Sequence, residues 1–396
     1  MAGYYFRLPP IPQLTIPQQG AINEPKQIAL SGGPGTGKSV VSLWRHIRNY
    51  QSTPEKKSML LTFTTTLKEY LVACCASIVD EEHPNSGKLS STNVGTSIRN
   101  TELVHHSIFP ELIIDEAQDL SEEYYTGIVS PVSYGSDDSQ ILYPDHCSTQ
   151  NELRRLFPNN VLYTLDRNFR NSQRIMQFAR KSFPLANIPI PVIQGLSDNV
   201  GEKPTLLIAD TFAKKREAIV RIIDSFRADD HNIAILVPWK DDAKAFEKNV
   251  MKAKNISYSI YYEDKNIFPN GCGKISNVHI TTYKSAKGLE FDTVIIPNFD
   301  DIVNLPWYVR EQVNVDVKEV TEMENTIRRL EKLRRDHNKI ISKEATLDGR
   351  FDLSYEKLMC SWEDMYVACT RARSNLYLFS RKDFPELNSV TEKEIL

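Results

Sequence analysis

Short apolar runs alternate with helical patterns along the first half of the 396-residue chain. Residues 27–30, 59–63 and 112–114 form such runs, and we predict that they are strands, with 59–63 as a buried parallel strand. The stretches after Ser39 and after Thr64 have helix-forming patterns, and Thr64 is a suitable helix cap. Strands that alternate with helices in this way predict an α/β fold with parallel sheets.

The second half of the chain repeats this alternation. Strands are predicted at residues 205–209 and 233–237, and helices are predicted at residues 175–180 and 214–226. A chain of 396 residues is too long for one small core and indicates two or three domains. The interval 72–110 leaves room for a helix or two.

A further amphipathic helix is predicted at about residues 312–345. Its apolar positions recur at helical spacing next to a group of arginines and lysines; they are Val320, Met323, Ile327 and Leu330. One interpretation is a surface helix packed on the second domain. The other is a basic docking surface for nucleic-acid phosphates or a partner, whose binding to phosphates would depend strongly on salt.

Composition excludes several classes of protein. The hydrophobic fraction of 41% and the charged fraction of 25% are those of an ordinary globular chain. No apolar run reaches the roughly 18 residues of a membrane span, and the first residues lack the features of a signal peptide. Six cysteines without regular spacing predict reduced thiols in a cytoplasmic protein. Because the net charge is −3, any basic surface for nucleic acid has to be local.

A glycine-rich loop follows the first predicted strand and precedes a helix. It fits the pattern G-x-x-x-x-G-K-[ST] of a phosphate-binding loop, and its residues are Gly32, Gly33, Pro34, Gly35, Thr36, Gly37, Lys38 and Ser39. In such loops the backbone N–H groups surround the phosphates of a nucleotide. Lys38 is placed to reach the β- and γ-phosphates, and the Ser39 hydroxyl is placed to bind Mg²⁺. The loop therefore predicts ATP and Mg²⁺ as the cofactors.

Two adjacent carboxylates, Asp115 and Glu116, follow the strand at residues 112–114. They lie where a parallel sheet presents its ligands, at the carboxyl ends of the strands. Asp115 is suited to hold Mg²⁺ directly or through water. Glu116 is suited to orient and deprotonate an attacking water. Upstream of the loop, Gln18 could recognise an adenine edge, because its amide both donates and accepts hydrogen bonds.

Seven boxes in sequence order resemble those of superfamily 1 helicases of the UvrD/Rep/PcrA type. The phosphate loop and the Gln18 region, residues 14–22, are two of them. The other five are DEAQD at 115–119, SDDSQILY at 136–143, LDRNFRN at 165–171, TYKSAKGLEF at 282–291 and YVACTRA at 366–372. The resemblance covers nearly the whole chain, from about residue 14 to about residue 378.

The resemblance implies a role for each matched position. Around the nucleotide, Gln18 would contact adenine, Phe169 would stack on it, and Gly288 and Glu290 would approach the ribose and phosphates. In catalysis, Gln140 would sense the γ-phosphate, while Arg170 and Arg371 would stabilise the transferring phosphoryl group from the second domain. Phe63, Thr64 and Lys284 would contact the nucleic acid, and packing in the core is the other interpretation of Phe63.

Three positions depart from the family pattern. Ser136 replaces a glycine, Lys284 replaces a histidine, and Pro144 and Asp145 follow Tyr143 where the family usually has a tryptophan that stacks on a base. One lost stacking platform would cost about 1–3 kcal/mol per base. The ATP chemistry is unaffected by these changes, whereas the nucleic-acid surface is altered.

The resemblance implies two RecA-like domains, at residues 1–160 and 161–396, without the large insertions of full-size relatives. It implies an ATP-dependent translocase or helicase on single-stranded DNA, with 3′-to-5′ polarity and RNA as the other possible strand. An alternative is an ATPase subunit that senses nucleic acid and regulates a nuclease or other effector, for example in anti-phage defence. In either case we expect no membrane association.

Overall fold

The computed structural model describes most of the chain outside residues 300–361. The described residues are 4–5, 8–52, 58–77, 93–142, 146–183, 186, 188, 190–196, 198–228, 230–238, 240–262, 265–267, 275–299 and 362–396. Within these ranges the chain forms two β-sheets flanked by helices. None of the described helices is both long enough and apolar enough to cross a bilayer.

The first sheet contains six parallel strands in the described residues. They are β1 (Ile28–Ser31), β2 (Met59–Thr62), β3 (Val94–Thr96), β4 (Leu112–Ile114), β5 (Val132–Ser136) and β6 (Val161–Thr164). The spatial order is β3-β2-β4-β5-β1-β6. Strands β2, β4 and β5 are buried along their whole length, as expected for a sheet covered on both faces. The loops after β1, β4 and β5 therefore meet at one edge of the sheet.

Helices pack on this first sheet. They are α1 (Ile16–Asn23), α2 (Lys38–Ser52), α3 (Thr65–Ser77), α4 (Thr101–His106), α5 (Glu122–Tyr125) and α6 (Gln150–Leu156). The α2 helix begins at the end of the phosphate loop and buries Val41, Trp44 and Ile47 in the main core. Its apolar residues thus fix the position of the loop from which it starts.

The second sheet contains eight strands in the described part of the chain. They are β7 (Thr205–Ile208), β8 (Ile233–Val237), β9 (Ser259–Tyr262), β10 (Lys265–Ile267), β11 (Val278–Thr282), β12 (Phe291–Ile296), β13 (Ala372–Ser380) and β14 (Glu392–Ile395). The order is β10-β9-β11-β8-β12-β13-β7-β14, and only the β10–β9 pair in this sheet is antiparallel. Strands β8, β11 and β12 form its fully buried centre.

The helices of the second half flank this sheet. They are α7 (Gln173–Ser182), α8 (Ile190–Gln194), α9 (Phe212–Ser225), α10 (Lys240–Phe246) and α11 (Trp362–Cys369), and a π-helical segment, Glu247–Lys252, follows α10. Residues of α7, α11 and β12 share one core with residues of α1, α2 and α3. This common core joins the two sheets into one packed structure.

The predicted strands and helices around the motifs are confirmed. Strands occur at all five predicted positions, as β1, β2, β4, β7 and β8, and helices occur at all four, as α2, α3, α7 and α9. The α/β fold with parallel sheets is therefore confirmed. Strand β6 pairs with β1, so the first sheet extends through Thr164.

Residues 72–110 contain the end of α3, the short strand β3 and α4. The predicted charged helix at residues 312–345, the segment Tyr143–Pro144–Asp145, and two of the six cysteines lie outside the described residues. Among those residues, Cys74, Cys75, Cys147 and Cys369 form no disulfide bonds.

Candidate nucleotide-binding site

The phosphate loop connects β1 to α2 with two glycines in the left-handed region, Gly35 at φ 71° and Gly37 at φ 88°. A side chain at Gly35 would be strained, and its Cβ would come within 2.7 Å of Asn168 Oδ1 and of Arg170 Cβ. The loop thus packs directly on the 165–171 box. Asn168 Nδ2 also donates to the carbonyl of Pro34 at 3.0 Å.

Lys38 lies inside the curve of the loop and is 6% exposed. Its ammonium donates to the carbonyl oxygens of Gly32 (2.7 Å) and Gly33 (3.1 Å). The same nitrogen is 3.6 Å from the carboxylate of Asp137, in the 136–143 box that follows β5. Because β1 and β5 are neighbours in the sheet, the loop lysine lies next to an acidic residue of the 136–143 box.

The carboxylates after β4 are buried and occupy different environments. Both oxygens of Asp115 are buried without a hydrogen-bond partner among the described residues. Burial and the charge of Glu116 raise the pKa of Asp115, and the nearby Ser39 hydroxyl and Lys38 oppose this rise. Burial would also raise the pKa of Glu116, but Lys287 and Lys38 outweigh it and hold that pKa below its usual value.

Glu116 has a left-handed backbone, with φ 58° and ψ 44°. This conformation costs a non-glycine residue about 1–3 kcal/mol and is found where surrounding contacts enforce it, often at functional sites. The contacts here are a hydrogen bond from Gln118 Nε2 (2.6 Å) and the Lys287 ammonium at 3.3 Å. They fix the Glu116 carboxylate at the carboxyl edge of the first sheet.

Lys287 is the main charged contact of the second half of the chain with the first. It is 1% exposed, and its ammonium donates to both oxygens of Asp119 (2.8 and 2.7 Å) and to the carbonyl of Gln140 (2.7 Å). Burial alone would lower the pKa of Lys287, but Asp119 and Glu116 raise it above its usual value. The amine is therefore charged at neutral pH, and it links the 115–119 box to the 136–143 box.

Gln140 forms a second bridge across the cleft. Its Oε1 accepts a hydrogen bond from Arg371 Nη2 at 2.9 Å, and its Nε2 donates to Asp137. Arg371 is 1% exposed, and it also donates from Nε to Val367 O at 2.9 Å. Burial, together with Arg170, lowers the pKa of Arg371 to about 9. The positive charge of this arginine is therefore only partly balanced by its surroundings, and an added negative charge would stabilise it.

Glu290 holds two arginines at the same cleft. Its carboxylate accepts from Arg170 Nε at 3.2 Å and from Arg373 Nη1 at 2.7 Å. Gly288, two residues earlier, has φ 83°, and a Cβ there would come within 2.7 Å or less of both methyl carbons of Leu67 on α3. Only a glycine allows this close approach of the two halves.

Many of these residues line one cavity of about 450 Å³, to which both halves of the chain contribute. Residues 34–39 of the phosphate loop, Glu116 and Gln140 line it from the first sheet, and Arg170, Gly288, Glu290 and Arg371 line it from the second half. Gly32, Gly33 and Asp115 are not among its lining residues. Phe169 also lines it, with 41% of its surface exposed and the Arg167 guanidinium 5.3 Å from its ring centre. The cavity thus contains most of the predicted ATP-site residues.

The predicted nucleic-acid residues lie elsewhere. Phe63 packs against the apolar cluster that contains residues of β2 and β4, and Thr64 Oγ1 accepts from Leu67 N at 3.2 Å as the predicted helix cap. Lys284 donates to the carbonyl of Leu142 at 3.0 Å and lies 3.9 Å from Asp364. None of these three predicted residues lines the cavity.

Sequence reasoning missed Asp119, Lys287 and Arg373 as site residues. Asp119 and Lys287 were part of recognised boxes, but a buried pair between residues 168 positions apart is not visible in sequence. Arg373, two residues after Arg371, would have required knowing that β13 runs beside β12. Two arginines at alternate positions, Arg371 and Arg373, were the available indication.

The fold places a loop with the phosphate-binding pattern at a cleft between two α/β halves. Residues 266–383 match the family profile of the UvrD-like helicase C-terminal domain. A protein of Acanthamoeba polyphaga mimivirus, provisionally named ATP-dependent DNA helicase R568, is 26% identical over 230 residues, which cover 52% of this chain and 32% of that protein. The chain thus spans about a third of that relative. The predicted resemblance to UvrD-type helicases is confirmed by these matches.

Two solved structures are similar to parts or most of the chain. Saccharomyces cerevisiae Dbp5 bound to RNA and ADP–BeF₃ has a TM-score of 0.51 at 12% identity, covering 96% of this chain and 90% of that one. The crystallised C-terminal domain of a possible DNA helicase from Lactobacillus plantarum is 15% identical, with a TM-score of 0.31 over 57% of this chain and 98% of that one. The Dbp5 likeness confirms the predicted RecA-like fold.

Proposed function

We propose that this chain is an ATP-dependent translocase on single-stranded DNA, of the UvrD/Rep type and with 3′-to-5′ polarity, which hydrolyses ATP in the cleft between its two RecA-like halves. The observation that supports this proposal most directly is the pair of bridges across the cleft. One bridge is the hydrogen bond between Gln140 and Arg371. The other joins Lys287 to Asp119 and Glu116. Together they connect the 115–119 and 136–143 boxes to the second half of the chain. A change at the phosphates would therefore alter contacts between the halves.

The donor set fits a magnesium ion. Asp115 has two buried oxygens without hydrogen-bond partners among the described residues, and the Ser39 hydroxyl is near it. Oxygen donors of this kind are the ligands that Mg²⁺ prefers. Ser39 and Asp115 would hold the ion, which would neutralise charge on the β- and γ-phosphates when bound.

The remaining groups supply the chemistry of hydrolysis. Lys38 would leave the carbonyls of Gly32 and Gly33 to bind the β- and γ-phosphates. Glu116 stays ionised because Lys287 and Lys38 lower its pKa, so it can accept a hydrogen bond from the attacking water and then its proton. Arg371 and Arg170 would place positive charge on the transferring group.

Binding of a nucleic-acid strand would be coupled to this chemistry through the end of the 136–143 box. Lys284 donates to the carbonyl of Leu142, two residues after Gln140, whose side chain contacts Arg371. A nucleic-acid phosphate at Lys284 would therefore act on the segment that positions Gln140. Phe63 and Thr64, at the carboxyl end of β2, would contribute further contacts to the strand.

A second candidate function is an ATPase that senses nucleic acid and regulates an effector, such as a nuclease. The specific observation in its favour is the short interval between the Phe63 region and the Asp115 box, residues 72–110, where the full-size helicases that the chain resembles have a large insertion. A chain without that insertion could rely on a partner for productive binding of the duplex.

Steady-state ATP hydrolysis tests the proposal. We would measure it alone and with single-stranded DNA, duplex DNA and single-stranded RNA, for the wild type, Gln140→Ala and the control Gln194→Ala, an exposed glutamine on α8. Stimulation by single-stranded DNA that Gln140→Ala loses and Gln194→Ala retains is expected. Equal, low rates with every nucleic acid would contradict the translocase and favour the partner-dependent ATPase.

A further inference from the structure

Three arginines and one glutamate from the second half of the chain meet at the cavity. Arg170, Arg371 and Arg373 all line it, together with Glu290. Arg170 and Arg371 are proposed to act on the transferring phosphoryl group, whereas Arg373 has no part in that proposal. Because three positive charges share one carboxylate here, the contacts of Glu290 decide which arginine nitrogens remain for a phosphate.

Each oxygen of Glu290 contacts a different arginine. Its Oε2 accepts from Arg170 Nε at 3.2 Å, and its Oε1 accepts from Arg373 Nη1 at 2.7 Å. Arg170 therefore uses only the guanidinium nitrogen nearest its main chain. Its two terminal nitrogens have no hydrogen-bond partner among the residues that the structure describes. These terminal nitrogens are the donors that a phosphate oxygen could contact.

The main chain of Arg170 is held in place by the phosphate loop and its own box. Its backbone N–H donates to Asn168 Oδ1 at 2.8 Å. Its Cβ lies 2.7 Å from the position that a Cβ on Gly35 would take, so the two segments are in close contact. The remaining freedom of Arg170 lies in its guanidinium, and Glu290 holds that group from the Nε side.

Arg373 is anchored independently of Arg170. Its carbonyl accepts from Ser172 N at 2.9 Å, and its strand, β13, pairs with β12 directly after Glu290. Its Nε lies 3.8 Å from the carboxylate of Asp292. Burial alone would lower the pKa of Arg373, but Glu290 and Asp292 raise it above its usual value. Arg373 is therefore a fixed and charged partner for Glu290.

The second oxygen of Glu290 is the important one. A carboxylate and an arginine frequently form a two-point contact, in which both oxygens accept from two nitrogens of one guanidinium. Such a contact with Arg170 would use Nε and one terminal nitrogen, and it would withdraw that nitrogen from a phosphate. Arg373 opposes this contact because it occupies Oε1 of Glu290.

We propose that Arg373 is a positioning residue for the hydrolysis of ATP. By binding Oε1 of Glu290, it limits Glu290 to one contact with Arg170 and keeps both terminal nitrogens of Arg170 available to the transferring phosphoryl group. This inference rests on the proposed ATP-hydrolysing function and adds a residue to it.

The effect of Arg373 is expected in the rate of the chemical step and not in the binding of ATP. The phosphate loop and Lys38 would bind the triphosphate before the reaction, whereas Arg170 would act on charge that develops in the transition state. Misdirecting one nitrogen of Arg170 would then lower kcat and leave KM nearly unchanged.

Steady-state ATP hydrolysis by the full chain, with saturating single-stranded DNA, tests the inference. Arg373→Met removes the charge and keeps an apolar side chain. Loss of one preorganised donor costs about 100-fold or more in kcat, and Arg373→Met should lower kcat roughly tenfold because it misdirects a donor without removing it. The matched control is Arg221→Met, which removes an exposed arginine 3.9 Å from Glu394 and should keep the wild-type kcat.

Two double variants show whether Arg373 acts through its neighbours. In Arg373→Met/Glu290→Gln the carboxylate that would capture Arg170 is absent, so kcat should be higher than in Arg373→Met. In an Arg170→Ala background, Arg373→Met should not lower kcat further. A crystal structure of Arg373→Met without nucleotide should show both oxygens of Glu290 in contact with Arg170.

Several results would overturn the inference while the proposed function stands. They are an unchanged kcat in Arg373→Met, a raised KM with unchanged kcat, a loss that adds to that of Arg170→Ala, no recovery in the Glu290→Gln double variant, and a variant structure in which Glu290 still contacts Arg170 through one oxygen. If the wild type does not hydrolyse ATP, or if Lys38→Ala hydrolyses it as fast as the wild type, the proposed function fails and the inference fails with it.

Discussion

The buried bridge formed by Lys287 gives the sharpest test of how the two halves are held together. In Lys287→Met the apolar stem is kept, while the Asp119 carboxylate loses the ammonium that contacts both of its oxygens. Lys287 and Asp119 are each 1% exposed, so water cannot replace the lost contact without a structural change. Removing one partner of such a buried pair costs about 3–5 kcal/mol.

We would measure the free energy of unfolding by urea denaturation at pH 7, with Lys252→Met as the control. Lys252 forms a 3.0 Å ion pair with Glu247 but is 62% exposed, so its loss should cost at most about 0.5 kcal/mol. The double variant Lys287→Met/Asp119→Asn should be more stable than Lys287→Met alone, because it no longer buries an unpaired charge.

The pH dependence supplies a second readout. Burial raises the pKa of Asp119 to about 6, although Lys287 opposes the rise. A carboxyl group whose pKa is higher in the folded than in the unfolded state stabilises the folded state at pH values below the unfolded-state pKa. That stabilisation is lost as the pH rises through the folded-state pKa. Without Lys287 the pKa of Asp119 in the folded state is higher still. The difference in the free energy of unfolding between the wild type and Lys287→Met should therefore become smaller when the pH is lowered from 7 to 5. Two results would refute this reasoning. One is a loss of unfolding free energy in Lys287→Met that is no larger than in Lys252→Met, and the other is a loss in Lys287→Met that is the same at pH 7 and pH 5.

Three further predictions concern the phosphate loop and the core. Glu116→Gln should abolish ATP hydrolysis but retain ATP binding, whereas Lys38→Ala should weaken binding; normal turnover in either would contradict the assignment. Arg45→Ala should lower the free energy of unfolding by about 3–5 kcal/mol in urea titrations, because it leaves Glu111 buried without its 2.7 Å partner. Burial lowers the pKa of His46 to about 3, so stability should fall as the pH falls from about 6.5 towards 3, and unfolding curves of His46→Gln should show a weaker decline.

The sequence predicted the strands and helices next to the motifs because their apolar patterns are local. It predicted the N-terminal region less well. The prolines at positions 9, 10, 12 and 17 predict an extended lead-in. This prediction is wrong, because a 3₁₀ turn, Ile11–Gln13, is followed by α1 from Ile16. Proline is accepted at the first helical positions, and the Thr15–Gln18 capping box starts the helix there.

The contacts that define the cleft could not be predicted in the same way. Box patterns identify which residue types face a nucleotide, but the partners of Lys287, Glu290 and Gln140 come from strands far apart in the chain. The commitment of the Gln18 amide to Thr15 and Thr36 likewise depends on how α1 packs against the phosphate loop. Such pairings follow from tertiary packing, which no local pattern encodes.

Movement along a strand is the most direct test of the central claim. We would measure ATP-dependent displacement of streptavidin from single-stranded DNA that carries biotin at its 5′ or its 3′ end, with Glu116→Gln as the inactive control. A 3′-to-5′ translocase should displace streptavidin from the 5′ end, only with ATP, and Glu116→Gln should not. Displacement from neither end by a protein that hydrolyses ATP would contradict translocation, and displacement from the 3′ end alone would contradict the proposed polarity.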